Sequence, residues 1–490
     1  MKRVTPQCGE RGAQKPLPCP IIFSAYWLAW HAASLFEVYP NVSAFFASAG
    51  LTVCFTMVHG LIGVPALYLS IIAVRILDLP APDFSAIFLL DPIREICVYG
   101  LVGAHLRQCW TRPDYRFSLP IAVRVIYSAF LASLSSALLA AQTPALGSTP
   151  AELLGTAVLS FWGGDFAGVM ITVPAFMILY RLFSPPLNGN TVNLIDALRR
   201  ARPLSLVMYP LLGLSVALFS VALPAVLEVD TRIAILILFP VVLAGLSRGT
   251  IVGFLVAIVS CATLLVAGSA TGFSFNEPIE IQLILALAVA LALMAGASHD
   301  DKEHAWTLAT FDAVTGLPNR YMLMDRLEHA LTSDRRTKTT MAVMYIDLDH
   351  FKEVNDTLGH HAGDNLLKQA GERIRNAVRR SDTVARLGGD EFVVVLSSVD
   401  SIEGADHVAR NVLSALEQPF SLGARVVTIS ASIGVAVHST TSQATDDVLR
   451  QADHAMYQAK SGGRNRIYHA STACAGTAFV QGELRSGASN

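Results

Sequence analysis

The sequence predicts a two-part chain: an α-helical polytopic membrane domain over residues 21–297, then a soluble α+β domain over residues 311–470. Three observations predict it. The 490 residues amount to about three typical domain lengths. Hydrophobic residues make up 53% of the chain and charged ones 15%, with a mean hydropathy of +0.48, against the roughly 25% charge of soluble proteins. No lysine occurs between Lys15 and Lys302, whereas the stretch after residue 300 has an ordinary soluble composition. An ordinary cytosolic protein and a disordered chain are both excluded. A net charge of −2 argues against broad nucleic-acid binding, so no nucleic-acid partner is expected.

Residues 1–20, with Lys2, Arg3, Arg11 and Lys15, read as a cytoplasmic N-terminal segment without a small-residue cleavage site. The seven cysteines form no CxxC pair, which indicates free thiols and neither a zinc site nor a disulfide framework. Residues 21–297 supply apolar stretches near the span length of about 20 residues, roughly eight to ten in number. The clearest are 118–141, 154–180, 203–227, 249–268 and 279–297; the weakest, 84–106, contains Asp91, Arg94 and Glu95. Arg107, Arg112 and Arg116, then Arg181, Arg199, Arg200 and Arg202, then Arg248 mark alternate joints as cytoplasmic and put both ends of the domain inside. Arg75 and Arg232 fall on the outer side, against the trend. Asp165, Glu37 and the Asp91/Arg94/Glu95 group are costly at membrane depth. They either line a ligand or ion cavity or pair with one another between helices.

Ser43 to Gly50 (SAFFASAG), the WxGDxxGV core within Phe161–Pro174 and the span arrangement over about 20–298 resemble the MASE-type membrane sensor domains of bacterial signalling enzymes. That resemblance implies a sensory role for this half and an inner-membrane, multi-pass location in the lipid bilayer. Residues 298–310 continue the last apolar stretch as a charged segment without Pro or Gly, a signalling helix or a tether.

From residue 311 the periodicity alternates between helix and strand. Met324, Leu327 and Leu331 mark a helix, and Met341–Asp347 a short apolar strand ending on a carboxylate. Leu366, Leu367, Ala370, Ile374 and Val378 mark the next helix. Thr383–Leu387 and Phe392–Leu396 flank Gly388-Gly389, a hairpin signal. Val426–Val437 reads as one strand, and Leu449, Ala452, Met456 and Ala459 as the face of a last helix ending at Gly462-Gly463. The order βαββαβ predicts a ferredoxin-like sheet with helices over one face.

If strand and hairpin are neighbours, Asp347, Asp390 and Glu391 converge at one sheet edge. Clustered carboxylates suit one or two Mg²⁺ ions on a nucleoside triphosphate, because hard cations choose oxygen ligands. Gly388 and Gly389 admit a bulky group without a Cβ in the way. Lys352, Lys460 and Arg464 can neutralise a triphosphate. Each piece alone is weak; their joint order is not.

Arg386-Leu387-Gly388-Gly389-Asp390-Glu391-Phe392 is a literal GGDEF signature. It stands among Asp312–Arg320 (DAVTGLPNR), Asp347–Asp356 (DLDHFKEVND), Gly359–Asp364 (GHHAGD), Tyr457–Lys460 (YQAK) and Gly462–Asn465 (GGRN). Residues 311–470 resemble diguanylate cyclase domains, with a nucleotidyl-cyclase-type fold. The resemblance implies condensation of two GTP into cyclic di-3′,5′-GMP with release of two pyrophosphates, by a homodimer in which each domain holds one GTP. It implies that Asp347, the carbonyl of Leu348 and Asp390 hold Mg²⁺, with Mn²⁺ as an alternative, supported by Glu391, and that Asp390 accepts the hydroxyl proton. It implies Asn355 and Asp364 on the guanine edge, and Phe351, His360, Gly388 and Gly389 in substrate contact. Lys352 falls at the transition state, and Lys460 and Arg464 on the outer phosphates. Arg379 and Asp382 match an RxxD site for inhibition by product cyclic di-GMP, the plain alternative being a helix-end arginine with a capping aspartate. Val314 replaces the usual leucine and touches no chemistry.

Two other readings bear on function. A catalytically silent GGDEF receptor for cyclic di-GMP or GTP normally loses acidic residues of the signature, and here all are present. A transporter with a cytosolic regulator lacks an ion-coupling pattern. No hydrolase segment is expected after Tyr468, and the small, polar tail 471–490 reads as disordered.

Overall fold

The computed structural model describes residues 19–34, 37–39, 42–43, 46–78, 86–110, 117–142, 151–183, 203–227, 231–271, 278–337, 340–399, 401–423, 425–438 and 445–470. The N-terminal basic segment up to residue 18, Arg112, Arg116, Arg199, Arg200, Arg202, and the tail 471–490 lie outside the described residues, as do the side chains of Glu37, Arg181 and Arg232. The chain divides into two compact units, Met1–Glu303 and His304–Asn490.

The first unit contains α1 (Cys19–Ser34), a short antiparallel pair β1 (Glu37–Tyr39) and β2 (Val42–Ser43), α2 (Ala47–His59), α3 (Val64–Asp78), α4 (Ala86–Trp110), α5 (Leu119–Ala140), α6 (Ala151–Phe183), α7 (Pro203–Leu227), α8 (Leu238–Arg248), α9 (Thr250–Thr271) and α10 (Pro278–Thr310). Among the described residues, five helical runs are long and apolar enough to cross a membrane: Ala47–Leu77, Leu119–Ala140, Leu154–Leu179, Thr250–Ala267 and Ile279–Thr310. Four coincide with the clearest expected spans. The expected span at 203–227 is one helix, Pro203–Leu227, apolar along its sequence. The expected span at 84–106 forms α4, whose Asp91, Arg94 and Glu95 keep it out of the five. Residues 298–310 are helical and continuous with the apolar start of α10.

Small residues let these helices approach closely. The Phe46 amide donates to the Gly164 carbonyl at 3.1 Å, and a Cβ on Gly168 would stand 2.0 Å from the Phe46 carbonyl oxygen. A Cβ on Gly50 would stand 2.5 Å from Thr172 Cβ. The segments 46–50 and 161–174, far apart in sequence, therefore pack on each other.

The second unit takes in the end of α10 and then α11 (Arg320–Thr337), β3 (Thr340–Leu348), α12 (Phe351–Leu358), α13 (His360–Ala377), β4 (Thr383–Gly388), β5 (Glu391–Val399), α14 (Ile402–Glu417), β6 (Phe420–Leu422), β7 (Arg425–Val427), β8 (Ala431–His438), α15 (Thr445–Ser461) and β9 (Arg466–His469). The main sheet runs β4-β5-β3-β8-β9, antiparallel except for the parallel β8–β9 pair. Its central strand β3 is buried along nearly its whole length, which is why it reads as a continuous apolar run.

Helices cover both faces of this sheet, not one as the periodicity suggested. Ala342, Met344, Ile346 and Leu348 pack with α12, α13 and α14; Met341, Val343 and Tyr345 pack with α11 and α15. A second correction concerns 426–437. Residues 425–427 pair with β6 in a separate hairpin, and 428–430 leave the strand before β8 begins at Ala431. The helix that the βαββαβ order requires after the hairpin is α14, capped at its start by the Ser401 hydroxyl accepting from the Gly404 amide at 3.3 Å. Val378 lies just past the end of α13.

Gly434 on β8 has no room for a side chain: a Cβ there would stand 2.1 Å from both the Ala452 carbonyl oxygen and the Met456 amide nitrogen of α15. Gly434→Ala should lower the stability of the soluble unit by about 3 kcal/mol, because overpacking against backbone cannot relax by a rotamer change. Thermal unfolding of the variant checks this; an unchanged midpoint would mean that α15 is free to move off the sheet.

Candidate functional site

The hairpin joining β4 and β5 turns on Gly388 (φ 154°) and Gly389 (φ 52°). Gly389 occupies the left-handed region that a β-carbon disfavours. Nothing lies within 4 Å of where a Cβ would sit on either residue, so the outer surface of the turn is open. Its inner side is gripped by Arg386, which is 8% exposed. The guanidinium donates twice to the Gly389 carbonyl, at 2.7 and 3.1 Å, and once to Asp312 Oδ1 at 2.7 Å. Asp312 also accepts from the Thr315 amide and hydroxyl at 2.8 and 2.7 Å. Burial opposes its ionisation, but the hydrogen bonds from Thr315 and Arg386 hold its carboxyl below the usual carboxylate range. The loop at 312–320 and the glycine turn are thus tied through one buried ion pair.

Beside the turn, β3 ends on Asp347, paired in register with Glu391 of β5 on one side and Ser432 of β8 on the other. Directly opposed carboxylates repel. The Asp347 carboxyl is pushed up to about 6: burial raises it most, the hydrogen bond from Lys460 pulls it down, and the negative charges of Asp390 and Glu391 raise it. Lys460 Nζ on α15 stands 2.7 Å from Asp347 Oδ2. The Leu348 amide donates to the Asp390 carbonyl at 3.3 Å, which fixes the start of β5 against the end of β3. Glu391 Oε2 accepts from the Tyr345 hydroxyl at 3.0 Å. Burial and the Glu391 charge push that phenol above its ordinary range.

Asp349 is buried and organises the rear of the site. Its carboxylate accepts from the Ser430 hydroxyl (2.6 Å), the Ser432 hydroxyl (2.8 Å) and the Asn465 amide (3.1 Å). Asn465 follows Arg464, and both have positive φ, 46° and 59°, in the turn that ends α15. This unusual backbone brings Arg464 to Asp349, with Nε 4.0 Å from Oδ1.

The remaining residues named from sequence divide into two groups. Lys352, His360 and Asp364 are exposed, and Asn355 is half-buried. Asn355 lies against α13: a Cβ on Gly363 would stand 1.9 Å from Asn355 Oδ1, so that glycine admits the amide beside Asp364. Phe351 belongs to the core under α12 and can meet a ligand chiefly through its backbone. At the RxxD segment, Arg379 is exposed. Asp382 is buried, accepting from the Arg379 amide at 3.0 Å and the Ser397 amide at 3.4 Å. This is the geometry of a capping aspartate. Tyr345 and Asp349 were given no role by the sequence reading, although Asp349 lies two residues beyond Asp347.

Among the described residues, no three His, Cys, Asp or Glu side chains are grouped to hold a metal by themselves. Asp347 turns one oxygen to Lys460 and Glu391 turns one to Tyr345. The donors nonetheless fit a hard cation that brings oxygen ligands of its own: Asp347 and Asp390 with the Leu348 carbonyl, backed by Glu391. Because its environment disfavours ionised Asp347, the folded state binds more protons than the unfolded chain between about pH 4 and 6, and stability falls as pH rises through that window. Asp347→Asn should therefore raise the unfolding temperature of the metal-free protein above pH 6 while abolishing divalent-cation binding. Melting curves with and without Mg²⁺ check both halves; a variant less stable than wild type at pH 8 would contradict the electrostatic account.

Residues 309–466 match the family described as "Diguanylate cyclase, GGDEF domain". MucR of Pseudomonas aeruginosa, a bifunctional diguanylate cyclase/cyclic di-GMP phosphodiesterase, is 46% identical over 158 residues, which are 32% of this chain and 23% of MucR. The diguanylate cyclase TpbB of the same organism is 41% identical over 157 residues, 32% of this chain and 36% of TpbB. The crystal structure of the TpbB GGDEF domain, at 40% identity and a TM-score of 0.31, covers 32% of this chain and 98% of that domain. Matching segments thus span about a quarter to a third of these curated relatives. Residues 309–466 of this chain are a GGDEF domain, of the kind found in cyclic di-GMP signalling proteins.

Proposed function

We propose that this protein is a membrane-bound diguanylate cyclase that condenses two GTP into cyclic di-3′,5′-GMP. The observation that carries the reading is the convergence of Asp347, Asp390 and Glu391 beside an open glycine turn, with Lys460 and Arg464 brought in from the end of α15. Asp347, Asp390 and the Leu348 carbonyl would hold Mg²⁺, which when bound withdraws charge from the α-phosphoryl oxygens. Asp390 takes the proton of the 3′-hydroxyl as its oxygen bonds to the α-phosphorus of the other GTP, and pyrophosphate leaves; the symmetric step closes the ring. Lys352 neutralises charge on the reacting phosphoryl group. Lys460 and Arg464 hold the outer phosphates, for which Lys460 exchanges its Asp347 partner. Asn355 and Asp364 read guanine, the Asp364 carboxylate accepting from N1–H and N2–H₂, a pattern adenine lacks.

One domain supplies half of this reaction, so the working unit is a homodimer. The first unit is a multi-pass sensor in the bacterial inner membrane with the GGDEF domain on the cytoplasmic side. The apolar helices and the arginine-marked joints support that reading. Product inhibition would act through the exposed Arg379 guanidinium, with Asp382 holding the turn that presents it.

Full-length protein in detergent should make cyclic di-GMP and pyrophosphate from GTP and Mg²⁺, and Asp390→Ala should abolish this while remaining folded. Near-normal turnover by the variant would refute the assignment. Arg379→Ala should leave the initial rate unchanged and weaken product inhibition by roughly tenfold, the loss of about one charged hydrogen-bonded contact. Unaltered inhibition in a progress-curve assay would exclude Arg379 from the product site.

A further inference from the structure

Several charged side chains of the first unit gather in one place. Asp91 on α4 accepts from Arg75 of α3 at 2.6 Å and from Arg94 at 2.8 Å, and both guanidiniums are 15% exposed. Arg94 also donates to the Ser136 hydroxyl and carbonyl of α5 at 2.6 and 3.0 Å. One residue further on, Glu95 accepts from the Tyr26 hydroxyl of α1 at 2.8 Å and the Thr52 hydroxyl of α2 at 3.1 Å. Asp165 on α6 accepts from the Tyr99 hydroxyl of α4. Glu95 and Asp165 are each 3% exposed.

The charges do not balance. Arg75, Arg94 and Asp91 face Glu95, and Arg94 and Glu95 face Asp165. Among the described residues this cluster sets three carboxylates against two guanidiniums, and both guanidiniums form their ion pairs with Asp91. Glu95 and Asp165 are left to neutral hydroxyls. An uncompensated buried carboxylate costs several kcal/mol, a cost relieved by taking up a proton.

Ser48 lies one turn before Thr52 on α2, fully buried beside the Tyr26 side chain, with its hydroxyl in reach of the Tyr26 oxygen. If Glu95 becomes a carboxylic acid, its O–H donates to the Tyr26 oxygen, and the Tyr26 proton turns to the Ser48 oxygen.

We propose that Glu95 and Asp165 form a binding site for a single exchangeable proton, shared between them and required by the charge balance of this cluster. The proposal rests on reading this unit as membrane-embedded. A proton that moves on or off changes which hydroxyls link α1, α2, α4 and α6, and so gives this unit a response to pH.

Infrared spectroscopy of the full-length protein in lipid nanodiscs reads the proton directly, as a deuterium-sensitive C=O band of a protonated carboxyl. The background is Asp347→Asn, which removes the soluble unit's own raised carboxyl. One band should titrate away with a single-proton slope as pH rises. Either Asp165→Asn or Glu95→Gln brings the cluster to two carboxylates and two guanidiniums, so each alone should abolish the band. No band in the parent, or a band that survives either substitution, overturns the proposal. Co-flotation of the chain with lipid vesicles tests the membrane reading separately.

Discussion

The repulsion among Asp347, Asp390 and Glu391 is the constraint on which the soluble unit depends. Strand register places Asp347 opposite Glu391, and the hairpin turn puts Asp390 next to both, so the fold holds like charges together where they oppose its own stability. The surroundings hold that arrangement in place. Lys460 offsets part of the charge, Tyr345 holds Glu391, and Arg386 fixes the turn from behind through Asp312. A site strained in this way is suited to a hard cation, whose positive charge offsets the repulsion among its carboxylates.

The helical unit faces the same electrostatic problem between apolar helices. In the soluble unit, a lysine and water can reach the carboxylates; between apolar helices, only arginines, hydroxyls and protons are at hand. Asp91 takes both arginines, and the remaining carboxylates are served by tyrosine and threonine. The glycines at 50 and 168 let α2 and α6 close tightly against each other beside this cluster.

The sequence was most legible where chemistry requires fixed residue types at short spacing. The run from Arg386 to Phe392 located the glycine turn and its carboxylates, and the apolar period of β3 located the strand that meets them. What was hidden depends on long-range partners. Asp349 finds Ser430, Ser432 and Asn465 at sequence separations of 81, 83 and 116 residues, so no local pattern announces its role. Tyr345 reads as one more apolar strand residue until the β3–β5 register places it diagonally from Glu391. Residues 426–437 read as one strand because their composition is uniform; the break at 428–430 exists to serve Asp349, whose amide donates to the Ser430 carbonyl at 2.9 Å. In the helical unit, Asp91, Arg94, Glu95 and Asp165 were recognisable as costly, but their division into one satisfied ion-pair group and two hydroxyl-bound carboxylates required the packing of five helices.

The central claim is that the carboxylates beside the glycine turn form a metal-dependent site for GTP. Calorimetric titration of the full-length protein with a non-hydrolysable GTP analogue tests it most directly, with Mg²⁺ present and absent and with the matching ATP analogue as control. The account predicts Mg²⁺-dependent binding of the guanine analogue, and binding of the adenine analogue weaker by at least an order of magnitude, the scale of one unmade pair of buried hydrogen bonds. Equal binding of the two nucleotides, or binding indifferent to Mg²⁺, would contradict it.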